Sequence, residues 1–163
     1  MSEETNSNLS ESGNALDTPI EALLPHRSPF LFVEKLTRAD DEGTEGYYTF
    51  GPDTWFFKGH FPEYPVVPGV ILVETMAQCG GAGLVATGKV QEGGLFLLTG
   101  VDNAKFRSQV RPGDTVRLVM TNIKITRRVA KLHGECYVDD KLACEADVSC
   151  ILASKPAEGE TAR

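Results

Sequence analysis

At 163 residues, with 41% hydrophobic and 24% charged residues, the chain has the size and composition of one ordinary globular domain that buries a core without disulfide or metal staples. A net charge of −7 argues against general nucleic-acid binding, and no basic stretch followed by an apolar one marks a secretory signal. No apolar stretch is expected to reach the ~20 residues that span a bilayer, so the chain is expected in the cytoplasm with no membrane insertion.

Residues 1–17 are rich in Ser, Asn and Glu, bury too little to offset their ordering entropy, and read as a disordered polar tail. Residues 154–163 read as a flexible C-terminal tail, leaving 18–153 as the folded domain. "TPIEALLPH" predicts a short helix, with Thr18 as cap, Pro19 in the first turn and Pro25 as terminator. "FLFVEKLTRA" and "GTEGYYTFGP" predict strands around an acidic turn. "DTWFFKGHFPEYPVVPG" mixes aromatics with proline and glycine and reads as a shaped loop. Gly69–Ala86 is the one long helix, apolar or small on nearly every side and therefore buried, with Pro68 at its start. The glycines at 80–83 weaken it unless another element packs closely there.

After Gly88 the pattern becomes strands. "GLFLLTGVD" is a continuous apolar run and "NAKFRSQV" a short segment, with a turn at "RPGD". "TVRLVMTNIKITRR" alternates, setting Val116, Leu118, Met120, Ile123 and Ile125 against Arg117, Lys124 and Arg127; the next stretch alternates too, with "DDK" as a hairpin turn. A curved antiparallel sheet wrapped around one long central helix is the simplest packing, an α+β, hot-dog-like architecture. Its open edges and all-apolar helix favour a dimer formed edge to edge. The four cysteines, Cys79, Cys136, Cys144 and Cys150, lack metal-ligand spacing and read as reduced, buried small apolar residues.

Charge is unevenly spread. Between Ala104 and Lys131 eight of the 16 basic residues face only Asp114, which suits either solvated strand faces or an acidic partner. Chemistry concentrates in "GHFPEYPVVPGVILVETMAQ". Glu74 is a carboxylate inside the apolar helix, with no Lys or Arg between Gly59 and Gly88. Burial there would raise its pKa and keep it protonated near neutrality. Gln78, four residues on, shares its face and can orient it. His60 is a natural general base, and the Gly69 N–H at the helix start could polarise a carbonyl. The plain alternatives are a partly exposed surface glutamate and a structural loop histidine; His26 and His133 are read as structural. Spacing puts Glu74 ~7–8 Å along the axis from the helix start, which leaves open whether it meets His60 in one subunit or across two.

"LLPHRSPFLFVEKL", "FFKGHFPEYPVVPGVILVETMAQCGG", "GVDNAKFRSQVRPGD" and "GECYVDDKLACEADVSCIL" together resemble the 3-hydroxyacyl-[acyl-carrier-protein] dehydratases of bacterial type II fatty acid synthesis, over about residues 19–152. The resemblance implies a hot-dog fold, a homodimer commonly assembled as a trimer of dimers, and sites pairing the histidine of one subunit with the acid of the other. It implies His60 and Glu74 as catalytic residues, Gly69 as the N–H on the thioester carbonyl and Gln78 as the residue beside the acid. No metal or organic cofactor is implied; the substrate arrives on the phosphopantetheine arm of acyl carrier protein. Lys105, Arg107, Arg127 and Arg128 are then the expected docking residues for that acidic partner. Related dehydratase/isomerases carry Asp where this chain has Glu74, which favours dehydration alone. An acyl thioesterase or an acyl-binding module on the same scaffold would not need both His60 and Glu74.

Overall fold

The computed structural model describes residues 14–154 and Gly159, so residues 1–13 of the expected N-terminal tail and most of the C-terminal one lie outside it. Asn14–Asp17, expected as the end of an unstructured tail, instead form a capped 3-10 turn over Ala15–Asp17, because Leu16 packs against the core. A short helix α1 follows at Ile20–Leu23. Strands β1 (Lys35–Ala39) and β2 (Gly43–Thr49) come next, then a loop containing a 3-10 turn at Trp55–Lys58. Helix α2 spans Gly69–Ala86, and β3 (Leu95–Phe106), β4 (Thr115–Ile125), β5 (Val129–Val138) and β6 (Lys141–Ala153) complete the chain.

The six strands form one antiparallel sheet in the order β1-β2-β4-β5-β6-β3. Alternation drives Val116, Leu118 and Met120 of β4, and Leu132 and Cys136 of β5, onto the face that wraps α2, all at most 2% exposed. α2 is buried over most of its circumference, as an all-apolar helix must be. By length and composition it passes for a membrane span (18 residues, mean hydropathy 1.4), contrary to the expectation from sequence, but 72% of that stretch is buried inside the domain. Close packing explains its glycines: a Cβ on Gly83 would collide with the Thr44 side chain of β2. The β5–β6 hairpin turns through Asp139 and Asp140, at φ 48° and 61°, the left-handed pair of a two-residue turn. All four cysteines are free and buried, and desolvation pushes the thiols up to about 12 for Cys79 and Cys136 and about 11 for Cys144 and Cys150.

Two strand expectations change. The apolar run at 94–102 and the short segment after it are one edge strand, β3, bent by irregularities between Leu98 and Gly100 and between Asp102 and Lys105. With β6 as its only neighbour among the described residues, β3 leaves Leu97, Leu98, Val101 and Phe106 more than 40% exposed. Ile123, expected inside, is 52% exposed, because a bulge between Asn122 and Lys124 shifts the alternation of β4.

Candidate active site

The loop before α2 is held at several points. Buried Phe56 and Phe57 anchor its 3-10 turn, and the Val67 N–H donates to the Val110 carbonyl at 2.8 Å. His60 is tied to the loop through its own backbone, donating from N–H to Phe56 O at 2.9 Å and accepting from the Val66 N–H at 3.0 Å. Its ring Nδ1 lies 2.8 Å from the Val66 carbonyl. A carbonyl only accepts, so Nδ1 carries the proton and Nε2 keeps a free lone pair. His60 shares a cleft of about 540 Å³ with Val66, Gly69, Val70, Phe106 and Arg107.

Gly69 opens α2 with Pro68 as N-cap and no side-chain cap. The first N–H of the helix with an acceptor is that of Ile71, to Pro68 O at 2.9 Å; the Gly69 and Val70 N–H groups have none among the described residues. Unpaired donors at a helix start favour developing negative charge. Glycine is needed there for packing too: a Cβ would sit 2.7 Å from Cε1 of the Phe106 ring.

Glu74 lies one turn beyond Val70 on the least covered stripe of α2: Val70 is 74% exposed, and the Glu74 side chain 23%. It lines a different, narrow crevice with Leu24, His26, Ala77, Gln78, Phe96, Leu98 and Cys150. Gln78 donates to Glu74 Oε1 at 2.9 Å, the contact expected from their spacing. The expected rise in the Glu74 pKa is not observed. Hydrogen bonding from His26 outweighs desolvation and, with Gln78, holds the carboxyl below its ordinary range.

Within one chain, then, His60 and Gly69 share a cleft, and Glu74 and Gln78 line another hollow. His26, read from sequence as merely structural, is the residue that was missed. Its Nε2 lies 3.5 Å from Glu74 Oε1, a pairing that no local pattern signals across 48 residues of chain. His133 is paired elsewhere, with Asp147 at 2.7 Å. The four basic residues do not form one patch. Arg107 lines the His60 cleft, and both Lys105 and Arg107 pair with Glu145, at 3.7 and 2.9 Å. Arg127 lines a separate hollow beside Lys89 and Leu152, and the Arg128 carbonyl accepts from the Leu152 N–H. Glu145 and Leu152 are seven residues apart on β6, roughly 23 Å at strand rise. Gln109, which lines the same cleft, accepts from the Tyr64 hydroxyl at 2.9 Å, and the Arg111 guanidinium stacks 4.4 Å over the Tyr64 ring. Among the described residues no cluster of three or more His, Cys, Asp or Glu side chains could hold a metal ion.

An antiparallel sheet wrapped on one long central helix defines the hot-dog class of proteins. The fold matches the dehydratase heterocomplex ApeI:P from Xenorhabdus doucetiae with a TM-score of 0.74 at 19% identity, covering 85% of this chain and 93% of that one. A thioesterase from Haemophilus influenzae shares it more loosely, with a TM-score of 0.55 at 16% identity, covering 77% and 82%. Sequence narrows the class. Residues 24–147 match the FabA-like domain, and the chain is 42% identical to the 3-hydroxyacyl-[acyl-carrier-protein] dehydratase FabZ of Koribacter versatilis, covering 93% of this chain and 99% of that one. It is 36% identical to the FabZ of Bacillus subtilis over 84% and 98%. The chain belongs to the FabA-like family, among the 3-hydroxyacyl-[acyl-carrier-protein] dehydratases.

Proposed function

We propose that the protein is a hydro-lyase converting (3R)-3-hydroxyacyl-[acyl-carrier-protein] to the trans-2-enoyl thioester in fatty acid synthesis. The observation that carries this reading is a histidine with its Nε2 lone pair free, sharing a cleft with an unpaired helix-start N–H. His60 Nε2 takes the proton on C2. The electrons of that C–H bond form the C2–C3 double bond as the C3–O bond breaks. The Gly69 N–H stabilises the negative charge that develops on the thioester oxygen, and Glu74 gives its proton to the departing hydroxyl, which leaves as water. Glu74 is favoured as carboxylate in the free chain; filling of the crevice by an acyl chain excludes water and raises its proton affinity. His60 returns its proton to solvent, and Glu74 is reprotonated from it. No cofactor is needed for these steps.

The acid serving a given His60 comes from a second copy of the chain. Supporting this are the separate hollows of His60 and Glu74, the uncovered Val70–Glu74 stripe of α2, and the apolar edge strand β3. Phe96 and Leu98 of β3 line the Glu74 crevice, so edge and stripe lie on one side and a homodimer, or a trimer of such dimers, covers both. Acyl carrier protein docks beside Lys105 and Arg107 at the cleft rim; Arg127 and Arg128 lie too far along β6 to share that contact. The reaction takes place in the cytoplasm. The test is incubation with a 3-hydroxyacyl carrier-protein thioester: the enoyl product supports the reading, whereas free thiol points to a thioesterase and a retained, unchanged acyl chain to a binding module.

A further inference from the structure

Two donors converge on one oxygen of the Glu74 carboxyl. Gln78 Nε2 lies 2.9 Å from Oε1 and His26 Nε2 lies 3.5 Å from the same atom. Neither donor is free to reverse. The Gln78 amide is fixed because its Oε1 accepts from the Phe32 N–H at 2.8 Å while its Nε2 also donates to the Phe30 carbonyl at 3.2 Å. The His26 ring is fixed because Nδ1 is buried with no hydrogen-bond partner, and a proton there would meet no acceptor. The neutral ring therefore carries its proton on Nε2, facing Glu74.

We propose that His26 is a positioning residue for the acid: with Gln78 it reserves Oε1 as an acceptor, so that the proton of the acid form sits on Oε2 and is presented in one direction. This rests on the reading of Glu74 as the general acid. The other titratable group lining the crevice is Cys150, whose thiol burial keeps neutral, so it brings no competing charge. Leu24, Ala77, Gly81, Phe96 and Leu98 complete the lining and leave no other polar side chain to take the place of His26.

The test compares His26→Leu, which removes the donor, with His26→Gln, whose side-chain amide restores an N–H at similar reach. Turnover is read together with the titration of the Glu74 carboxyl by 13C NMR, assigned with Glu74→Gln. In H26L, kcat falls by ~10-fold or more while KM changes little, since the loss is of orientation rather than of binding. The Glu74 titration moves to higher pH, because the ionised form has lost a donor. H26Q recovers much of both. A Glu74 titration that stays in place in H26L overturns the proposal whatever happens to kcat, and so does an H26Q variant no better than H26L. Absence of dehydration by the wild-type protein would instead sink the activity reading; the titration, which needs no turnover, would still decide the His26 contact.

Discussion

Gln78→Leu tests how much of the site depends on one buried amide. Gln78 is 2% exposed and makes three hydrogen bonds, to Glu74, to the Phe30 carbonyl and from the Phe32 N–H. Leucine fits the space but satisfies none of them. Phe32 is 1% exposed, so its N–H is left without water or partner, whereas Phe30 and Glu74 keep partial access to solvent. One fully orphaned donor at about 1–3 kcal/mol and two partly compensated bonds at about 0.5–1 kcal/mol each sum to roughly 2–5 kcal/mol. For a chain of this size that lowers the Tm by roughly 4–20 °C. Thermal and urea unfolding measure it, and kcat on the folded variant should fall as well, because Glu74 loses a fixed donor. Gln78→Glu sharpens the test: it keeps an acceptor for Phe32 but sets a second carboxylate against Glu74, so its stability deficit should shrink on acidification. A Gln78→Leu protein melting within about 2 °C of wild type would refute the view that this amide is satisfied only by its present partners.

The depressed Glu74 carboxyl gives a signed pH dependence. The unfolded chain binds that proton more readily than the folded one, so the contribution is full above the ordinary carboxylate range and is lost as pH falls from there through the lower folded value. The stability difference between wild type and Glu74→Gln should therefore shift against wild type on acidification, measured as paired melting curves between about pH 7 and about pH 2; parallel curves would contradict it. For docking, Lys105→Gln with Arg107→Gln should raise KM several-fold for the carrier-protein substrate, and less for a small thioester surrogate. Arg127→Gln with Arg128→Gln should leave both nearly unchanged, and the opposite ranking would move the docking surface along β6.

What the sequence disclosed followed from local physics. An all-apolar run behind Pro68 gave α2 with its observed bounds, because proline suits a helix start and an apolar run of that length buries as a helix. The "DDK" turn was legible because few residues other than Gly, Asn and Asp accept positive φ. The Glu74–Gln78 contact was legible because helical spacing alone dictates it. Most of the misses were long-range. Ile123 is turned out by a bulge defined only against β5, and β3 is exposed because of its place in the strand order, which its own apolar run does not encode. The direction of the Glu74 shift reversed because burial was visible in the sequence while the donor on His26, from a distant loop, was not. The basic stretch was read as one patch because it is contiguous in sequence; β6 separates its two halves.

The most direct measurement of the central claim, that His60 and Glu74 complete one dehydrating site from two subunits, uses two inactive variants. His60→Ala and Glu74→Gln should each lose at least ~100-fold in turnover alone. Co-assembled from equal amounts of denatured chains, with exchange verified by native mass spectrometry, half of the dimers would be mixed and each would hold one intact site of two. Turnover should then recover to about a quarter of the wild-type rate. Mixed dimers that are demonstrably present yet inactive would show that the two residues must act from the same chain.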